Sequence, residues 1–146
     1  MKHIMIASFC RWSVGWGDYL ATTKNVIYVS IDGRGTGFQS NDYKFQVYRN
    51  LGTVEMQDQI NVTRRLINNY DFIDAENVAI WGWSYGGFAT AMTLEADTGP
   101  APVFACGISG KKKIFLKGLF ILLKIYCRGN KDGSDKICTL ELDEVL

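Results

Sequence analysis

Residues 78–88, VAIWGWSYGGF, place Ser84 among glycines at the end of an apolar run. The run leading to it, residues 77–83, is uncharged and has the make-up of a strand buried on both faces of a parallel sheet. The stretch after it, residues 85–96, reads as a helix with almost no charge on any side, and such a helix is expected in an interior. The serine therefore falls at a strand-to-helix junction.

Working outward, NVIYVSI (25–31) is β-branched and aromatic and reads as another buried strand, cut off by the glycine-rich turn DGRGTGF (32–38). From Thr53 to Tyr70 the residues Met56, Ile60, Thr63, Ile67 and Tyr70 recur at helical spacing and share one face, with Glu55 suited to the positive end of the helix dipole. VFACGI (103–108) is a third strand, and Pro100 and Pro102 sit in the connection before it. Strand, helix, strand, helix, strand predicts an α/β fold, a parallel sheet with flanking helices.

Gly82-Trp83-Ser84-Tyr85-Gly86 fits G-x-S-x-G, in which a serine sits on a strained turn as a nucleophile. The pentapeptide is short, but the strand before it and the helix after it are read independently of it. The residue types match the demand. Gly82 and Gly86 allow strand and helix to approach, Gly87 keeps the helix start uncrowded, and the backbone N–H of Tyr85 points where an oxyanion would form. The competing reading is a tight turn with an inert serine.

With 146 residues, 47% of them hydrophobic, and a net charge of +1, the composition suits a soluble globular domain and offers no overall field for nucleic acid. Cys10, Cys106, Cys127 and Cys138 have no metal-ligand spacing, and His3 is the single histidine, so no metal site and no cofactor are expected. No signal peptide or membrane span is read in the chain, and its compartment is left open.

WGWSYGG, with SVGWGDYLAT, VSIDGRGTGFQ and LGTVEMQDQI upstream, resembles the catalytic domain of the dipeptidyl peptidase IV branch of prolyl oligopeptidase-type serine peptidases, from about Trp12 to Ser109. The resemblance implies a partial α/β-hydrolase fold with a nucleophile elbow at Ser84 and a post-proline exopeptidase acting on peptide substrates through an acyl-enzyme. It implies that Tyr85 is one oxyanion donor, that Trp83 flanks the serine as a packing aromatic, and that Asp32 and Arg34 brace the fold near the site, although the residues of that loop by themselves read as a plain glycine-rich turn. The pattern expects an acid and then a histidine after the serine. Asp132, Asp135 and Asp143 are available as acids, but no histidine follows Ser84, and His3 lies in a segment without a family counterpart. The family tyrosine for the second oxyanion donor, the propeller and the proline pocket are also without counterpart here. The expectation is thus a truncated segment, inactive by itself, with a non-catalytic binding or regulatory fragment as the alternative.

Residues 1–110 are read as the N-terminal part of the peptidase domain and 111–146 as an unrelated tail, basic and then acidic. In KKKIFLKGLFILLKIYCR (111–128), Lys113, Lys117, Lys124 and Arg128 would form a cationic stripe on a helix, the pattern of a weak membrane-surface contact. Fortuitous patterning and packing against a missing sheet face are the other readings.

Overall fold

A computed structural model of the chain describes residues 2–7, 15–115, 118–127 and 136–142, with side chains for 15–110. In chain order the elements are β1 (Lys2–Ala7), α1 (Trp16–Thr23), β2 (Val26–Ser30), α2 (Asn41–Lys44), a 3-10 turn (Phe45–Val47), α3 (Val54–Asn69), β3 (Ile73–Trp83), α4 (Tyr85–Ala96), β4 (Cys106–Phe115), β5 (Gly118–Cys127) and β6 (Lys136–Leu142). The sheet among the described residues runs β2-β1-β3-β4-β5-β6. β2, β1, β3 and β4 are parallel to their neighbours, and β5 and β6 join antiparallel. The protein is α/β, as the alternation of strand and helix predicts.

β3 lies centrally between β1 and β4, and its inward residues Val78 and Ile80 are buried with Ile31, Ile60, Val103 and Phe104. α3 buries Met56, Ile60 and Thr63, the first three residues of its periodic face. Ile67 packs half-buried on the same core, whereas Tyr70 lies past the helix end and is exposed.

Four local expectations are corrected. β2 is not buried on both faces: it is half-buried throughout, because among the described residues it is the edge of the sheet and pairs with β1 alone. α4 is not an interior helix. It buries Gly87, Thr90 and Thr93 but leaves Tyr85 and Phe88 exposed. The third strand begins at Cys106 rather than at residue 103, because the N–H groups of Val103 and Phe104 donate to the Asp97 carboxylate at 2.8 and 2.9 Å instead of to a ladder. Residues 111–115 and 118–127 do not form a helix either. Residues 111–115 prolong β4 and 118–127 form β5, antiparallel to it and paired from Lys111↔Leu122 to Phe115↔Gly118. The run is rich in β-branched and aromatic residues, which favour a pleated strand over a helix. Of the stripe, Lys117 and Arg128 lie outside the described residues.

Candidate active site

The turn between β3 and α4 is a single residue, Ser84, with φ 57° and ψ −113°. A non-glycine residue rarely adopts positive φ, and such a conformation costs on the order of 1–3 kcal/mol, so it persists only where its surroundings hold it. The holders are identifiable. The Ser84 N–H donates to Gly110 O at 2.9 Å, and Ser84 O accepts from the Gly87 and Phe88 N–H groups at 3.0 and 3.2 Å. Ser84 is exposed, and although it is the N-cap of α4 its side chain makes no capping hydrogen bond. A serine at an N-cap normally turns its oxygen back onto the helix. Here the oxygen is left to solvent.

The glycines divide in their reasons. A Cβ on Gly82 would land on the Gly86 carbonyl, so strand and helix approach here because Gly82 has no side chain. A Cβ on Gly87 would lie 2.5 Å from Gly110 O and 3.1 Å from Ser109 Oγ, and the Ser109 hydroxyl itself donates to Gly87 O at 2.8 Å. Gly86 faces open space, so its own bareness is not what permits the contact. As the first residues of α4, Tyr85 and Gly86 have N–H groups that no carbonyl of the helix accepts, at the positive end of its dipole.

Beside the turn lies a cleft of about 790 Å³, mostly apolar, bounded by the loop after β2, the start of α3 and the end of β3. Tyr28, Phe38, Glu55, Trp81, Trp83 and Tyr85 are on its wall. Ser84 is not a lining residue although both its neighbours are, which puts it at the rim. The glycine-rich loop is fastened to α3. The Arg34 guanidinium donates to both oxygens of Asp58, Nη2 to Oδ1 at 2.6 Å, and the Arg34 N–H donates to Oδ2 at 2.8 Å. The Tyr43 hydroxyl closes the loop from the other side onto Asp32 O at 2.8 Å. Hydrogen bonding to Arg34 holds the Asp58 carboxyl below its ordinary range despite partial burial. Arg34 thus ties the loop to α3, as the resemblance implies and as the plain reading of a glycine-rich turn does not, while Asp32 accepts through its backbone oxygen. Asp58 and Tyr43 were not singled out in the sequence.

Glu55 is the other residue that spacing alone missed. The Tyr85 hydroxyl donates to its Oε1 at 2.9 Å. Burial, then this hydrogen bond, pushes the Tyr85 phenol up to about 12. Burial would also raise the Glu55 carboxyl, but hydrogen bonds from Gly52, Thr53 and Tyr85 outweigh it and leave the carboxyl below its ordinary value.

The sheet register separates His3 from the turn. β1 runs parallel to β3 with Ile4 opposite Val78, six residues before Ser84, which at ~3.3 Å per residue is roughly 20 Å. Asp132, Asp135 and Asp143 lie outside the described residues. Among the described residues no group of histidine, cysteine or carboxylate side chains could hold a metal ion, and no helix is long and apolar enough to cross a membrane.

Comparison with known proteins identifies the family. The profile of the prolyl oligopeptidase family matches residues 12–112. The chain is 50% identical over 95 residues to venom dipeptidyl peptidase 4 of Apis mellifera, covering 65% of this chain and 12% of that protein. It is 47% identical over 96 residues to dipeptidyl peptidase 4 of Bos taurus, covering 66% of this chain and again 12% of the relative. The crystal structure of Porphyromonas gingivalis dipeptidyl peptidase 4 superposes with a TM-score of 0.59 at 35% identity, covering 73% of this chain and 16% of that one. The chain therefore spans about 12% of the length of the curated relatives it matches. With a family profile matched over residues 12–112, most of its length, this chain belongs to the prolyl oligopeptidase family.

Proposed function

We propose that residues 1–110 form the nucleophile-bearing part of a serine peptidase domain that releases dipeptides from peptide substrates, with 111–146 as an appended segment outside it. The observation that carries the reading is Ser84: held at φ 57°, exposed, and with a hydroxyl not used as a cap. These features support reading the turn as a nucleophile elbow. Ser84 Oγ attacks the scissile carbonyl carbon and forms an acyl-enzyme as the amine leaves. The Tyr85 N–H donates to the oxygen on which charge develops. Gly82, Gly86 and Gly87 surround the turn, and Gly82 and Gly87 are the two whose missing side chains its packing requires. The family match over residues 12–112 ends close to the division at 110 and supports it.

The Oγ proton must pass to a base as the bond forms, and His3 is too distant to take it. A triad without its base retains only about 10³–10⁴-fold catalysis over water. The 146-residue chain by itself should therefore show no measurable release from a Gly-Pro chromogenic substrate and slow labelling by a fluorophosphonate. The deciding experiment grafts residues 12–112 in place of the matching segment of bovine dipeptidyl peptidase 4. The graft should release dipeptide, and Ser84→Ala should abolish both release and labelling. A folded graft that is inert, or activity that survives Ser84→Ala, overturns the reading.

A further inference from the structure

The Ser84 carbonyl and the Tyr85 N–H belong to one peptide plane, and the direction of that plane decides where the N–H points. One side of the plane is fixed by the Gly87 and Phe88 N–H groups on Ser84 O. On the other side the Tyr85 ring packs tilted on Phe88 with centroids 5.6 Å apart and reaches α3 through its hydroxyl. The receiving carboxylate is itself fixed. Glu55 Oε1 accepts the Gly52 N–H at 2.5 Å, and Oε2 accepts the Thr53 N–H at 3.1 Å. Gly52 in turn lies against Phe88, since a Cβ there would sit 3.1 Å from Phe88 Cζ. Glu55, Gly52, Phe88 and Tyr85 thus close a ring of contacts joining the start of α3 to the first turn of α4.

We propose that Glu55 is a positioning residue for the Ser84 turn: by holding the Tyr85 hydroxyl it orients the Tyr85 N–H toward the position of the oxyanion. The catalytic meaning of that orientation rests on the reading of Ser84 as nucleophile; the mechanical link does not. Tyr85 is 49% exposed, so its hydrogen bond contributes little to global stability. The effect of the Tyr85–Glu55 bond should therefore appear in local geometry rather than in the unfolding midpoint.

The test uses the 146-residue chain labelled with ¹⁵N and with ¹³Cζ-tyrosine. In Glu55→Ala the Tyr85 phenol should titrate lower than its value of about 12, toward the ordinary 10.0. The Tyr85 amide resonance should shift or split in Glu55→Ala and in Tyr85→Phe, which keeps the ring and loses only the hydroxyl. Glu55→Gln keeps an acceptor and should restore the amide resonance. The urea midpoint should stay the same in Tyr85→Phe, which leaves the bonds from Gly52 and Thr53 to Glu55 in place. An amide resonance unmoved in Glu55→Ala and Tyr85→Phe overturns the proposal, as does a Glu55→Gln chain no nearer to the wild type than Glu55→Ala. These readouts need no hydrolysis. An inert Ser84 beside a Tyr85 amide that follows Glu55 removes the peptidase reading alone, and an active Ser84 beside an indifferent amide removes this proposal alone.

Discussion

Ser84 holds its conformation against its own preference, and that leads to a prediction in the direction opposite to loss. Glycine adopts φ near 57° without strain, so Ser84→Gly should release part of the ~1–3 kcal/mol stored there, less the ~0.5–1 kcal/mol by which glycine loosens the unfolded chain. The expected net is a stabilisation of about 1 kcal/mol, read as a higher urea midpoint. A lower midpoint would mean that the turn is relaxed and the serine merely structural. The turn was legible in the sequence because everything that defines it is local: an apolar run, glycines on both sides, an uncharged helix after it. Glu55 was legible only as an acid suited to a helix start. Its partner Tyr85 lies 30 residues further along, and no periodicity connects them. The same holds for Arg34 and Asp58, 24 residues apart, whose pairing depends on how a loop and a helix meet in space.

At the level of elements, the join of α4 to the sheet separates two adjacent glycines. Gly87→Ala should destabilise by about 1–3 kcal/mol, because the added carbon meets Gly110 O and Ser109 Oγ in a strand that cannot move without breaking its pairing to β3. Gly86→Ala meets open space within a helix and should stabilise by about 0.5–1 kcal/mol. Urea midpoints of the two variants moving the same way would refute the packing described. The first turn of α3 carries a second test. Glu55 and Asp58 are both depressed below their ordinary 4.5 and 3.8, so their contributions are present above those values and fall away as pH drops through the lower folded-state ones. Urea midpoints should be steady near neutrality and decline below about pH 4.5. The double variant Glu55→Gln with Asp58→Asn should flatten that decline. Helix periodicity gave the extent of α3 to within a residue at each end, while the antiparallel strands after residue 110 were not legible. Charges at helical spacing suggested a helix, whereas the pairing of β4 with β5 depends on how the two segments meet in space.

For the molecule as a whole, the surface beside the cleft is unusually apolar. Phe38, Phe45, Tyr48 and Leu51 are all exposed and lie within a short length of chain. The chain should bind ANS, and Phe38→Ser with Leu51→Ser should remove most of the emission; emission unchanged in the double variant would place the dye elsewhere. Alternation of strand and helix made the α/β class readable, but not the order of the strands. β1 enters between β2 and β3, and β3 follows it by about 70 residues, so the central pairing of Ile4 with Val78 joins distant parts of the chain. The pairing of Ala79 with Cys106 needs only the α4 connection to close. That difference sets a timetable for folding. The entropy of closing a long loop must be met before its contacts form, so β3, α4 and β4 should assemble first and β1 should slot in last. In pulse-labelled hydrogen exchange the amides of Val78–Ile80 facing β4 should gain protection ahead of those of Ile4–Ile6. Any agent that captures the late-arriving strand would then leave the Ser84 turn built and the half of the sheet beyond β3 unassembled.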